Sequence, residues 1–265
     1  RVDGRDGPVR VRDYHPLVPG NQTPLLWVHG GGFTSGGLDQ NESDAPARSL
    51  AAEGRLVRTV EYRLAPRANP FKDPDLTAHP GRYPAGLHDV VDVARSLVAD
   101  TKGPISLGGG SAGANIAAAA TLCLRDDGDP LPRAVVLAYG TFHAVLPPDE
   151  TIEAELRGPL AKWAFHPKML RRMNLNYVGD PALLVPGYAF PGGADLHSFP
   201  PTLVADAAND RLRRSGHAFA AELRTAGTQV REVVISSTHA YLNAPRRKSF
   251  AHGLEEISRW LTEHD

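Results

Sequence analysis

Short apolar runs alternate along the chain with longer stretches of helical spacing, and this rhythm predicts the fold. Val9-Arg10-Val11-Arg12-Asp13-Tyr14 alternates apolar and polar positions and reads as an edge strand. Leu25-Leu26-Trp27-Val28 is apolar throughout, as a strand buried on both faces must be. Further strands are expected over 56–60, 105–107, 134–139, 201–206 and 230–235. Helices are expected over 43–53, 84–99, 116–122, 213–226 and 249–261. In the second of these, Leu87, Val90, Val91, Ala94 and Leu97 fall on one face. Strands alternating with helices predict an α/β fold whose central sheet is mostly parallel and covered on both faces.

The rhythm breaks between Thr141 and Phe199, where Pro147-Pro148 precedes a helical stretch from about Ile152 to Phe165 and another from Pro167 to Val178. A segment this long with its own helices reads as a cap insertion. The expected division is therefore a core of residues 1–140 and 200–265 with a cap of 141–199, all within one domain.

In a parallel sheet, ligands bind where the strands' carboxyl ends emerge. That rule gathers the His29–Phe33 loop, Ser111, the loop after Asp206 and the loop after Ile235 on one rim. Ser111 sits in Gly109-Gly110-Ser111-Ala112-Gly113, between an apolar strand and a helix. A serine at such a turn is held in a strained backbone conformation with its hydroxyl presented outward, and a Cβ two residues either side would clash. A glycine-rich turn without function is the plain alternative. In His29-Gly30-Gly31-Gly32, consecutive glycines let the backbone present N–H groups together. Gly31 and Gly32, with the amide of Ala112, are the candidate oxyanion-hole donors. His29 reads as a brace for this loop.

A serine nucleophile needs a base, and the base needs an orienting carboxylate. Asp206 ends a strand while Asp210 lies in the loop beyond it, so Asp210 is preferred; a helix N-cap is its alternative role. His239 follows the last strand and lies downstream of both aspartates. His143, His166, His197, His217 and His252 fall in the insertion or on helices and read as surface or satisfied side chains. Phe33, Trp163, Phe165 and Tyr241 are candidates for the substrate pocket, each equally readable as ordinary core.

Composition narrows the class further. The 265 residues are 42% apolar and 22% charged, which suits one large globular domain. The formal net charge, 29 − 30 = −1, gives no reason to expect nucleic acid as a partner. The single cysteine, Cys123, excludes an intrachain disulfide and a multi-cysteine metal site. No apolar run is long enough to span a bilayer and no signal-peptide pattern opens the sequence, so a cytoplasmic location is the expectation.

Taken together, the motifs resemble the hormone-sensitive-lipase-like family of α/β-hydrolases, the bacterial esterases with an HGGG motif. The matching pieces are His29-Gly30-Gly31-Gly32-Phe33, Glu61-Tyr62-Arg63-Leu64-Ala65-Pro66, Tyr83-Pro84-Ala85-Gly86-Leu87-His88-Asp89, Gly109-Gly110-Ser111-Ala112-Gly113, Pro200-Pro201-Thr202-Leu203-Val204, Asn209-Asp210-Arg211-Leu212-Arg213 and Thr238-His239. The resemblance implies the α/β-hydrolase fold, a Ser111–His239–Asp210 triad, a small short-acyl ester as substrate, no metal or organic cofactor, and a homodimer formed through the last strand's edge. Three departures stand out. Gly110 replaces the usual Asp or Thr before the nucleophile, Ala240-Tyr241 replaces Gly-Phe, and Arg214 stands where a carboxylate is usual. The family's helical N-terminal cap segment has no counterpart, because Val9 already matches the first strand, so a more open pocket is expected. Two other functions use the same fold: deacetylation or amide hydrolysis of a small metabolite, and non-catalytic binding of a small molecule.

Overall fold

The computed structural model describes residues 1–18, 20–69 and 71–265. The chain enters through a hairpin, β1 (Val2–Gly4) and β2 (Gly7–Tyr14). Then come β3 (Leu25–Val28), α1 (Asn41–Ala52), β4 (Val57–Glu61), α2 (Ala85–Thr101), β5 (Ser106–Gly110), α3 (Ala112–Asp126) and β6 (Val135–Ala138). Three helices follow, α4 (Glu150–Glu155), α5 (Gly158–Trp163) and α6 (Pro167–Val178). The chain closes with β7 (Thr202–Asn209), α7 (Arg213–Thr225), β8 (Val230–Thr238) and α8 (Lys248–Glu263).

The strands form one sheet in the order β1-β2-β4-β3-β5-β6-β7-β8. The β1–β2 and β2–β4 pairs are antiparallel, and every pair from β4 across to β8 is parallel. Strand alternation divides the core in two. Leu26, Val28, Leu107, Val135 and Leu137 face α2, α3 and α7, which contribute Val90, Ala117 and Phe219 among others. Leu25, Trp27, Val57, Val136 and Ala138 face α1 and α8, with Leu50, Ile257 and Trp260. A strand that is apolar at every position thus feeds both layers.

The structure differs from the sequence-based expectation in places that have local causes. The expected helix from Ile152 to Phe165 is two short helices, α4 and α5, because Gly158-Pro159 interrupts it. Proline cannot donate to the helix ladder and glycine weakens it. Strand β5 extends through Gly110 although three of its five residues are glycine, and β7 and β8 run about three residues further than their apolar runs. The pairing of β7 with β8 carries both on to Asn209 and Thr238, with an irregularity between Ala207 and Asn209. That extension delivers Asp210 and His239 side by side at the sheet's carboxyl edge. Among the described residues, no helix is long and apolar enough to cross a membrane.

Leu107 is fully buried in the central strand, so Leu107→Ala should cost about 2–5 kcal/mol. Val234 is 39% exposed on β8, so Val234→Ala should stay within about 0.5 kcal/mol. Urea unfolding of the two variants measures the contrast.

Candidate active site

The turn between β5 and α3 is closely packed against β3. Ser111 has φ 53° and ψ −119°, a conformation that L-residues rarely adopt. A Cβ at Gly113 would lie 2.2 Å from the Val28 carbonyl oxygen, and one at Gly109 would lie 2.6 Å from both that oxygen and the Gly113 backbone. Both contacts are forbidden, so glycine is required on each side of the serine for α3 to start against β3. Helix α3 is rich in alanine where it meets the sheet, with Ala117 to Ala120 wholly buried.

Ser111 Oγ lies 3.0 Å from His239 Nε2. His239 Nδ1 lies 2.6 Å from Asp210 Oδ2, and the other Asp210 oxygen accepts the Leu212 N–H at 3.0 Å. The carboxylate therefore selects the tautomer with the proton on Nδ1 and leaves the Nε2 lone pair facing the hydroxyl. Asp210 is almost fully buried and the His239 side chain is 20% exposed. Burial opposes a charge on His239, but the Asp210 charge, its hydrogen bond and the nearby Glu42 outweigh it and raise the imidazole above its ordinary value.

Opposite Ser111, the loop after β3 turns back on itself. Gly31 has φ 121° and Gly32 φ 60°, and the Gly31 carbonyl accepts the Thr34 and Ser35 N–H groups at 3.1 Å each. Gly31, Gly32 and Ala112 line the same cavity as Ser111 and His239. Among the described residues, no backbone carbonyl outside the helices and strands accepts the N–H of Gly31 or Gly32. His29 is fully buried below this loop, with Nδ1 2.7 Å from the Gly30 carbonyl and its ring stacked on Tyr62 at 4.4 Å. Burial pushes its pKa down to about 4, so it stays a neutral brace.

The cavity holds about 360 Å³. Its floor is the Ser111–His239 pair, and its walls include Phe33, Phe165, Met169 and Met173. The Phe165 ring stands edge-on to His239 at 4.6 Å. Trp163 and Tyr241 are not part of its lining. Trp163 is half exposed and stacks on Phe71 at 5.3 Å. Tyr241 is buried behind His239, where its hydroxyl donates to the Ala205 carbonyl at 3.1 Å. Ala240 lines the cavity, while Tyr241, two residues after His239, packs against Tyr139 instead.

The remaining candidates separate cleanly. Asp206 does not reach His239. It is 1% exposed on β7 with no hydrogen-bond partner among the described residues, and a Cβ at Gly216 would meet it at 2.1 Å. Burial, reinforced by the Asp210 charge, raises its pKa well above the usual carboxylate range. His143 bonds Ser215 Oγ at 2.8 Å and Glu222 at 3.0 Å, a second serine–histidine–carboxylate chain. Ser215 is fully buried and also accepts the Phe142 N–H, so this chain fastens the segment after β6 to α7 and offers no hydroxyl to a ligand. The arginines after Asp210 clamp the same segment: Arg211 and Arg214 share Glu153 of α4, and Arg213 pairs with Glu155. The positive charge of Arg214 is thus matched by a carboxylate from the insertion. Among the described residues, no group of three or more His, Cys, Asp or Glu is placed to hold a metal ion.

A residue that the sequence alone did not single out lies at the centre of the site. Glu42, in the first turn of α1, is 1% exposed and accepts the Gly30 N–H, the Tyr139 hydroxyl and the Gln40 amide. Nothing in its local pattern sets it apart from a helix-start acid. The only trace is Gly110, whose missing side chain leaves its space to this carboxylate.

A family model described as the α/β-hydrolase fold matches residues 25–243. The chain belongs to the hormone-sensitive-lipase-like esterases of the α/β-hydrolase superfamily. It is a carboxylesterase-type hydrolase. The carboxylesterase NlhH of Mycobacterium tuberculosis is 33% identical over 257 residues, spanning 92% of this chain and 75% of that protein. The esterase LipI of the same species is 31% identical over 242 residues, spanning 86% and 69%. Among solved structures, an esterase of Pyrobaculum calidifontis superposes with a TM-score of 0.83 at 29% identity, over 99% of this chain and 83% of the other.

Two histidines of this α/β-hydrolase should titrate in opposite senses, and NMR of the imidazole protons reads both. His239 should titrate above the ordinary value of about 6.5, and Asp210→Asn should lower it. His29 should stay neutral until about pH 4. Because the unfolded chain takes up that proton near pH 6.5, His29 should cost stability as the pH falls from about 6.5 toward 4.

Proposed function

We propose that this enzyme hydrolyses small, short-acyl carboxylic esters through a Ser111–His239–Asp210 triad and a covalent acyl-enzyme. The observation that carries the reading is the unbroken chain from Ser111 Oγ to His239 at 3.0 Å and on to Asp210 at 2.6 Å, opening into a single cavity with the Gly31, Gly32 and Ala112 amides. NlhH and LipI bear the names carboxylesterase and esterase, which favours an ester over an amide.

His239 Nε2 takes the Ser111 proton as Oγ attacks the ester carbonyl. The imidazolium that forms keeps its Nδ1–H on Asp210. Negative charge on the carbonyl oxygen meets the N–H groups of Gly31, Gly32 and Ala112; each such donor is worth about 3–4 kcal/mol in the transition state. His239 then returns the proton to the leaving alcohol, and water activated by the same nitrogen releases the acid from Ser111. The segment 141–199 acts as a cap: Phe165, Met169 and Met173 form one apolar wall over the serine, and the clamp of Arg211, Arg213 and Arg214 holds it to the loop carrying Asp210. A cavity of about 360 Å³ lies near the small end for ligand sites, which supports short acyl groups.

Ser111→Ala should lower kcat for p-nitrophenyl acetate by about 10⁴-fold or more; a variant with wild-type rates would overturn the assignment. Across p-nitrophenyl acetate to palmitate, kcat/KM should fall as the acyl chain outgrows the cavity, and a preference for the long chains would contradict the short-acyl reading. Asp210→Asn should cost about 10⁴-fold in kcat, because the imidazole loses the partner that fixes its tautomer.

A further inference from the structure

Glu42 is a buried acid that lines the cavity and that the proposed mechanism does not use. It lies among groups that all offer it hydrogen. Oε2 accepts the Gly30 N–H at 2.6 Å and the Gln40 amide at 3.2 Å. Oε1 accepts the Tyr139 hydroxyl at 2.6 Å. No arginine, lysine or histidine forms an ion pair with it among the described residues, although it is 1% exposed. An unpaired acid buried this deeply is costly unless it is fully hydrogen-bonded or set against a charge that appears during the reaction.

Its position is specific. A Cβ at Gly110, the residue before the nucleophile, would lie 2.5 Å from Oε1. A Cβ at Gly30, the first glycine of the oxyanion loop, would lie 2.7 Å from Oε2 and 2.9 Å from the Ser111 Cβ. Glu42 therefore fills the junction between the nucleophile turn and the oxyanion loop, and a glycine at the end of β5 and another in that loop leave room for it. The acid is itself held: its own N–H donates to Asn243 Oδ1 at 3.0 Å, and its carbonyl accepts the Trp27 indole at 2.8 Å. Asn243 lies just after His239, and the Tyr139 ring stands edge-on to the His239 ring at 5.2 Å.

We infer that Glu42 is a positioning residue for ester hydrolysis: its carboxylate ties the oxyanion loop to the nucleophile turn and faces the imidazolium that forms on His239, and Gly110 is the residue that makes room for it. This rests on the proposed roles of Ser111 and His239. The titratable groups around it are Tyr139, Tyr62, Tyr241 and His239, with Asp210 on the far side of the imidazole. Of these only His239 changes charge near neutrality. Burial raises the Glu42 pKa, against the Tyr139 and Gly30 hydrogen bonds and the nearby His239; when ionised, its charge works in the same sense as that of Asp210, favouring the protonated ring.

The test uses the full chain, p-nitrophenyl acetate and four forms of the protein: wild type, Glu42→Gln, Glu42→Ala, and Glu42→Ala with Gly110→Asp. Glu42→Gln keeps the shape and removes the charge. It should lower kcat about tenfold or more with KM within about twofold, and move the acid limb of the kcat/KM profile to lower pH by about half a unit. Glu42→Ala should lose more. Returning a carboxylate from the other side of the same space, with Gly110→Asp, should recover about tenfold of that loss. A folded Glu42→Gln with wild-type kcat and an unmoved acid limb overturns the inference while leaving the esterase reading intact. If Glu42→Gln does not fold, the double variant decides: activity recovered over Glu42→Ala supports the positioning role, and none recovered contradicts it. A wild-type chain that hydrolyses no ester removes the parent reading and this one together.

Discussion

The contact between the start of α3 and the end of β3 constrains everything around the site. The helix begins so close to the Val28 carbonyl that neither Gly109 nor Gly113 can carry a Cβ, and Ser111 between them takes a positive φ. The cost of that backbone is of the order of 1–3 kcal/mol, and the surrounding sheet supplies the packing that sustains it. Three consequences follow from one geometry. The serine hydroxyl comes within 3.0 Å of His239, Ala112 opens the helix beside it, and the β3 loop brings Gly31 and Gly32 to the same cavity.

Charge is distributed around this turn in two shells with different physics. Inside, Glu42, Asp206 and Asp210 are all nearly buried, yet each is treated differently. Asp210 is matched by an imidazole and Glu42 by three donors, while Asp206 has no hydrogen-bond partner among the described residues, and burial raises its pKa well above the usual carboxylate range. Outside, Arg211, Arg213 and Arg214 meet Glu153 and Glu155 across the junction with the insertion. Arg211 is 4% exposed while Glu153 is 42% exposed, so this clamp is half desolvated and carries more than an open surface pair would. Its place directly after Asp210 couples the position of the insertion to the position of the acid.

Much of this was legible in the sequence because it depends on local rules. Apolar runs with no polar break mark strands covered on both faces, and the alternation with helices leaves little choice of topology. The glycines at 109 and 113 have a steric reason that can be stated before any coordinates exist. Asp210 and His239 follow from the rim rule together with the requirement for a base and an orienting carboxylate. What could not be read depends on distant contacts. Gly158-Pro159 divides a stretch whose helical spacing on either side reads as one helix. Trp163 and Tyr241 are aromatic residues beside the site in sequence that turn outward or into the core in space. Glu42 carries no local signal at all, since its partners at 30, 110 and 139 come from three separate strands or loops. Arg214 stands where a carboxylate is usual, and its partner Glu153 comes from the distant insertion.

The central claim is that one serine, Ser111, is the nucleophile because the fold alone gives its hydroxyl both a base and a set of amide donors. Mass spectrometry after reaction with a fluorophosphonate tests this most directly, since the reagent bonds covalently only to an activated hydroxyl. The account predicts a single adduct, located on the peptide containing Ser111. An unlabelled protein, or an adduct on Ser215 or any other residue with Ser111 untouched, would contradict it.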